Sequence, residues 1–387
     1  MPASSLPLPS RDEFQLDPDL AFLNHGSYGA VPTVVQEQFE QLERQMERNP
    51  VEWLGRRVDA LLAESRAALG SFVGADPDDL VYFPNPTTAI NMVVRSLRLQ
   101  PGDQIVTTDH EYGAMSRTWR KWSAEEGIEV VAVPVPLPVD DPANVVERVW
   151  SAVGPRTRVL FISHLTSATA LVFPVAELCR RARAAGVLAI VDGAHVPGQR
   201  SLDLATIECD FYTGALHKWL CTPKGCAFLW VRREQQEWLQ PLVTSWGWES
   251  ERPSGSRFID WHQYQGTRDM SAALSVPASI EFVKAHDWAG AQERGHRLAL
   301  DARERINALT GLEAICPPTH EWLGQMTSVR LPDVDVAALQ TRLFDRHRVE
   351  IPCHRWGDIP LIRVSGGVHT TEHDIDRLVA ALEDELG

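Results

Sequence analysis

The chain has 387 residues, 44% of them hydrophobic, and a formal net charge of −15. That length and apolar content allow two or three domains around a substantial core. The acidic balance, without any lysine- and arginine-rich block, argues against a nucleic-acid-binding face, and no apolar run approaches a membrane span.

Residues 1–20 are polar and proline-marked, and read as an arm. Met1 to Ser10 lacks the basic start and apolar centre of a signal peptide. Asn24-His25-Gly26-Ser27-Tyr28-Gly29 is a glycine-spaced turn. Two amphipathic helices follow over 31–48 and 51–72, broken at Pro50. A strand over 80–83 leads through Pro84-Asn85-Pro86-Thr87-Thr88 into a helix over 89–97. The two hydroxyls at that helix start read by themselves more as a plain N-cap than as a phosphate cradle. A strand over 104–107 runs through Asp109-His110-Glu111-Tyr112 into a helix carrying Trp119 and Trp122. A strand over 130–133, a helix over 143–152, a strand over 159–163 and a helix from Pro174 to about 185 continue the alternation.

The next two strands end in chemistry. One is a purely apolar run over 187–191 that delivers Asp192, then Gly193 and His195. The other, over 209–213, is expected to break at Gly214 and hand over His217 and Lys218. Repeated strand–helix units argue for a mainly parallel sheet covered on both faces. Ligands of such sheets sit outside the carboxyl ends of the strands. Asp192, His195, Thr213, His217 and Lys218 are therefore expected to line one pocket. After a strand over 227–231 the texture changes at about 271 to long helices over 272–286 and 288–309. Strands over 327–331, 349–351 and 361–365, with a helix over 336–347, complete a smaller α+β domain. The expected division is an arm over 1–20, a large domain over 21–270 and a small domain over 271–387.

An acid and a lysine at neighbouring strand ends suit pyridoxal phosphate. That cofactor needs a lysine for its Schiff base and a carboxylate on its ring nitrogen. A lysine held near a cation and partly desolvated loses its proton more easily and becomes a base. Val191-Asp192-Gly193-Ala194-His195, followed by Tyr212-Thr213-Gly214-Ala215-Leu216-His217-Lys218-Trp219 and Cys221-Thr222-Pro223-Lys224-Gly225, resembles the class V aminotransferase family of fold type I. The likeness is to its isopenicillin N epimerase-like branch, which is related to the cysteine desulfurases, and runs from about Phe22 to the C-terminus.

The resemblance implies an aspartate aminotransferase-like large domain in three layers with a seven-stranded sheet. It implies Lys218 and Asp192 on the cofactor, Thr87 and Thr88 on its phosphate, and Tyr112 against its ring. His195 becomes the candidate for the ring hydroxyl, with Thr213 and His217 beside it. Thr267, in Gln265-Gly266-Thr267-Arg268-Asp269, would reach the phosphate of a second subunit in a homodimer. Arg363 would take the substrate carboxylate, ahead of Arg268 and Arg355, with Asn24 and His25 at the active-site mouth. The implied reaction is epimerisation of an amino acid by removal of its Cα proton, with Tyr112 or His25 as a second acid. A C–S lyase or a desulfurase remains open; Cys353 is the thiol candidate for the latter. A transaminase and a non-catalytic sensor are remoter alternatives.

His369-Thr370-Thr371-Glu372-His373 matches an inverted zinc-peptidase pattern. Thr371 through Asp374 also reads as a helix-capping box, which would leave His369 outside the helix. No metal is expected there. The six cysteines have no paired spacing of a zinc site or disulfide framework, as expected of a reduced, cytoplasmic enzyme.

Overall fold

Apolar runs of four to seven residues, too short for helices and rich in valine, isoleucine and phenylalanine, become strands in the computed structural model, which describes residues 6–387. Seven form one sheet: β1 (Leu80–Phe83), β2 (Gln104–Thr108), β3 (Glu129–Val133), β4 (Thr157–Ser163), β5 (Leu188–Asp192), β6 (Phe211–Ala215) and β7 (Ala227–Val231). Their order is β1-β7-β6-β5-β4-β2-β3. Only β7 runs against the rest, pairing antiparallel with both β1 and β6. The sheet is therefore mainly parallel, as the strand–helix alternation implies.

Side-chain alternation builds the layers. Leu160 and Ile162 of β4 face one apolar cluster together with Val106, Ala189 and Val191. Val159 and Phe161 face the other, with Ile105, Ile190 and Phe211. Helices Val58–Val73, Pro142–Trp150 and Val175–Ala184 close the first face, and Pro86–Ser96 and Gly113–Glu126 the second. Both faces are buried, so β5 and the 159–162 stretch of β4 are wholly apolar up to their carboxyl ends, where Asp192 and Ser163 emerge. Ser163 and Asp192 are register partners.

A second, antiparallel sheet of β8 (Met326–Arg330), β9 (Cys353–Trp356) and β10 (Ile359–Ser365) has the order β9-β10-β8. It packs with helices Trp288–Thr310, Val336–His347 and Glu372–Leu386 in a third apolar cluster. Ala21 and Leu23 belong to that same cluster, and Ala21–Phe22 pairs in parallel with Val349–Glu350. The arm lies on this unit too: Asp287 donates its N–H to the Pro7 carbonyl at 2.8 Å, and Arg294 reaches the Pro9 carbonyl. Residues 1–5 of the expected arm lie outside the described residues.

The expected break at Pro50 is present: the first helix, Thr33–Arg48, ends there, and the non-helical Asn49 caps a new turn that starts at Pro50, accepting from the Glu52 N–H at 3.1 Å. The chain then continues through a π turn, Trp53–Arg57, into Val58–Val73. Two local expectations differ. Gly214 does not break β6. It lies inside the strand, where a Cβ would meet Phe228 at 2.5 Å and Pro197 at 2.6 Å. The helix expected over 272–286 is divided into Ser271–Leu274 and Val276–Ala285.

The capping box at Thr371 forms: Thr371 Oγ1 accepts from the Asp374 N–H, while Asp374 accepts from the Thr371 N–H at 2.9 Å. His369 stays buried ahead of the helix and His373 is exposed on it, so the two histidines do not converge. Thr371→Ala should lower the unfolding free energy by about 1 kcal/mol in a denaturant titration. No change in midpoint would show that the cap carries no stability.

Candidate active site

The carboxyl ends of β5 and β6 meet a cavity of about 450 Å³. Asp192, the last residue of β5, is buried in its wall and accepts a hydrogen bond from the Ala194 N–H at 2.9 Å. Burial raises its pKa, opposed by that bond and by Lys218. Lys218 lies three residues past the end of β6, half-buried in the same wall. Loss of water and the nearby Arg363 lower its pKa to about 7, against the pull of Asp192. The glycine-spaced turn crosses here: Gly29, at φ +72°, has no room for a side chain, since a Cβ would lie 2.1 Å from the His217 carbonyl oxygen.

His195 stands beside the amine, its Nε2 3.2 Å from Lys218 Nζ. It is buried and its pKa is driven well down by desolvation, then by Lys218, Arg363 and His217. His217 also lines the cavity; its Nδ1 donates to the Cys226 carbonyl at 2.8 Å, which leaves Nε2 as the free ring nitrogen. Burial brings its pKa to about 4.

Opposite these groups is the N-terminus of helix Pro86–Ser96. Asn85 caps it by accepting from both the Thr88 N–H at 2.8 Å and the Thr88 hydroxyl at 3.0 Å. Thr87 and Thr88 both line the cavity, at the positive end of the helix dipole. Tyr112 caps the next helix, Gly113–Glu126, and stands at the cavity edge 49% exposed.

Arg363, on β10, is buried behind the cavity wall. Its guanidinium donates to the Ser167 carbonyl at 2.7 Å and to the Ser27 hydroxyl at 3.0 Å; Ser27 and Ser167 both line the cavity. Its buried Nε has no hydrogen-bond partner among the described residues. Desolvation lowers its pKa to about 10, so it stays charged at neutral pH.

The remaining candidates lie elsewhere. Thr213 is buried within β6 and donates to the Phe228 carbonyl at 2.7 Å, so it does not line the cavity. The Asn24 amide donates to Glu350 at 3.0 Å and its oxygen accepts from Ser27, so it orients Ser27 rather than facing a ligand. His25 is not at the mouth: it is buried, with Nδ1 3.0 Å from His369 Nε2 and its ring packed on Trp219 at 4.9 Å. Thr267 is exposed and away from the cavity of its own chain. Arg268 donates to the Tyr82 carbonyl, and Arg355 pairs with Asp333. Cys353 is opposite Ile362 in the β9–β10 register, one residue from Arg363, so alternation turns it into the third apolar cluster. Burial holds its thiol up at about 12.

Sequence reasoning passed over Ser27, Ser163, Ser167, Tyr28 and Glu111. The serines and Tyr28 stand in stretches it marked, but nothing in residue type separated them from loop polarity. Glu111 is buried next to Tyr112 and accepts from Thr108 Oγ1 at 2.7 Å and from Ser163 Oγ at 2.5 Å. Burial pushes its pKa up to about 8, with Asp192 adding to the rise.

Comparison with known proteins places this geometry. The Aminotransferase class-V family profile matches residues 27–378. The chain is 38% identical to the isopenicillin N epimerase of Amycolatopsis lactamdurans over 97% of both chains. It is 36% identical to that of Streptomyces clavuligerus over 98% of both. Among solved structures it is similar to a lysine-to-alanine variant of C-DES with glycine covalently linked to the PLP cofactor, at a TM-score of 0.82 and 24% identity over 97% of this chain and 99% of that one.

A neutral Glu111 has a measurable consequence. In the unfolded chain it ionises near its ordinary value, while in the folded chain it keeps its proton to about pH 8. Its contribution to stability is thus present at low pH and lost as pH rises through that window. Glu111→Gln removes this term, so the stability of the variant relative to the parent should rise from pH 5 to pH 8, by at most about 1.4 kcal/mol per pH unit. Urea titrations across that range check it; a flat difference would mean that Glu111 is ionised in the fold.

Proposed function

Because this chain belongs to the class V aminotransferase family, we propose that it acts at the α-carbon of an amino acid as an isopenicillin N epimerase-like enzyme, with pyridoxal phosphate in the cavity between Lys218 and Asp192. One observation carries the reading: a desolvated amine of low pKa and a buried carboxyl share one cavity. The donor set fits the cofactor, with an amine for its aldehyde, an acid for its ring nitrogen and a helix N-terminus with two threonines for its phosphate. When bound, pyridoxal phosphate supplies an electron sink that acidifies the Cα proton of the substrate.

The chain's own residues do the rest. Asp192 would hold a proton on the ring nitrogen, Thr87, Thr88 and His217 would receive the phosphate, and Tyr112 would lie against the ring. Arg363, with a vacant Nε and no carboxylate paired to it among the described residues, receives the substrate carboxylate by exchanging its contacts with Ser27 and Ser167. Lys218, freed as a neutral amine, takes the Cα proton. Inversion needs a second proton donor, and the phenols of Tyr112 and Tyr28 line the cavity. Thr267 completes the phosphate site of a second subunit in a homodimer. No helix among the described residues is long and apolar enough to cross a membrane. The six cysteines are free thiols, which suits the reducing cytoplasm.

β-Elimination by a C–S lyase is the second reading, favoured by one observation: among the described residues Lys218 is the sole amine lining the cavity, and elimination needs one base only. Desulfuration requires a thiol at the substrate, and Cys353 faces the other way.

Incubation in deuterium oxide with isopenicillin N and a panel of L-amino acids and cysteine conjugates separates these outcomes. The epimerase reading predicts Cα deuterium together with both configurations. Pyruvate and ammonia without inversion would replace it by the lyase, and absence of exchange with every compound would overturn both. Arg363→Gln should lower kcat/KM by about 10²-fold or more, chiefly through KM, as steady-state kinetics would register. An unchanged KM would move the carboxylate site elsewhere.

A further inference from the structure

His195 touches Lys218 with one ring nitrogen and Trp219 with the other. Its Nε2 is 3.2 Å from Lys218 Nζ, and its Nδ1 is 3.3 Å from Trp219 Nε1. An indole nitrogen carries a hydrogen and has no lone pair to offer, so it donates and never accepts. His195 Nδ1 must therefore accept, and carries no proton. A charged ring, with protons on both nitrogens, would set N–H against N–H in a buried pocket that already faces Lys218, His217 and Arg363. The single proton of the ring is then on Nε2, where it points at Lys218 Nζ. An ammonium there would oppose it; a neutral amine accepts it.

We propose that Trp219 is a positioning residue that fixes the Nε2–H tautomer of His195 and, through it, holds Lys218 as an unprotonated amine. This inverts the arrangement in which a carboxylate or carbonyl takes the outer N–H of a histidine and leaves its inner nitrogen as a base. Here the outer partner is a donor, so the inner nitrogen can only donate. His195 does not drain a proton from Lys218, and a proton that Lys218 takes from a substrate stays on Lys218.

The indole is held for this task. Trp219 is 2% exposed, with the His25 ring packed against it and Gly198, at φ +87°, pressed on its backbone; a Cβ on Gly198 would lie 2.3 Å from the Trp219 carbonyl oxygen. His25 is itself fixed: its Nδ1 accepts from the Ala30 N–H at 3.3 Å and faces His369. His25 thus backs the indole from behind the cavity.

The tautomer can be read in the cofactor-free protein, independently of the reaction. Only its further consequence, that Nε2–H meets the ring hydroxyl of pyridoxal phosphate, rests on the function proposed above. In ¹⁵N-histidine-labelled protein stripped of cofactor, with His195 assigned by the loss of its signals in His195→Gln, Nε2 should be the protonated nitrogen and Nδ1 the bare one. Trp219→Phe should abolish this preference. It should also slow capture of an aromatic aldehyde by Lys218 about tenfold at pH 7, the effect of one hydrogen bond that changes direction. Should that variant not fold, benzothienylalanine at position 219 keeps the bicyclic shape without the N–H and should act likewise. A proton on Nδ1 in the parent protein, or an unchanged tautomer in the folded variants, would overturn the proposal. Failure of the cofactor reading would appear separately, as a protein with this tautomer that forms no cofactor adduct.

Discussion

A primary amine stripped of water gives up its proton readily, and a second cation behind the same wall makes it do so sooner. That is the situation of Lys218. Its proton is lost to desolvation first and to the field of Arg363 second, with Asp192 the one nearby group that opposes the loss. Around the amine, charge is kept sparse. His195 and His217 are held neutral by burial, and Glu111 keeps a proton although it is a carboxyl. The cavity therefore presents a basic nitrogen, a lone acid and a fixed guanidinium rather than a mesh of ion pairs that would cancel one another. A zwitterionic, carboxylate-bearing ligand complements such a site, and an ordinary hydrated lysine on a protein surface would not supply it.

The parallel sheet makes this sparseness possible. β5 and the 159–162 stretch of β4 are apolar up to their carboxyl ends because both faces are covered, so Asp192 and Ser163 appear together at one edge. Ser163 and Asp192 are register neighbours there, and Glu111 reaches the same edge from the loop after β2 by accepting from Ser163 and Thr108. Asp192 sits close enough to disfavour ionisation of Glu111. The smaller unit contributes Arg363 across the gap, tied to the large one through Ser167. The turn at Ser27, which folds against the smaller unit, supplies the second tie.

Much of this was legible before any coordinates. Strand runs over 80–83 and 227–231 have the observed bounds, because β-branched and aromatic residues flanked by turn formers admit little else. Asp192 stood out because a charged residue at the end of a wholly apolar run must emerge where such a strand does, and Lys218 because it follows the end of the next strand. His195 and His217 followed from position, Thr87 and Thr88 from the family resemblance, and the structure brings all four to the cavity. The capping box at Thr371 was visible from spacing alone. What stayed hidden depends on packing between segments distant in the chain. Nothing local reveals that His25 turns inward to a histidine 344 residues away, or that Asn24 answers to Glu350. Thr213 follows the pattern of a site residue, yet strand alternation and a carbonyl on β7 claim its hydroxyl. Gly214 resembles a strand breaker until Phe228 and Pro197 are seen crowding it. The tryptophan after the lysine passes for core until its N–H is found against His195.

The most direct measurement is of covalent capture at one side chain. Purified protein incubated with pyridoxal phosphate, reduced with borohydride and digested should carry the pyridoxyl group on the peptide containing Lys218, with visible-range absorbance before reduction that Lys218→Ala lacks. Protein that remains colourless, or a label found on another lysine such as Lys224, would contradict the account.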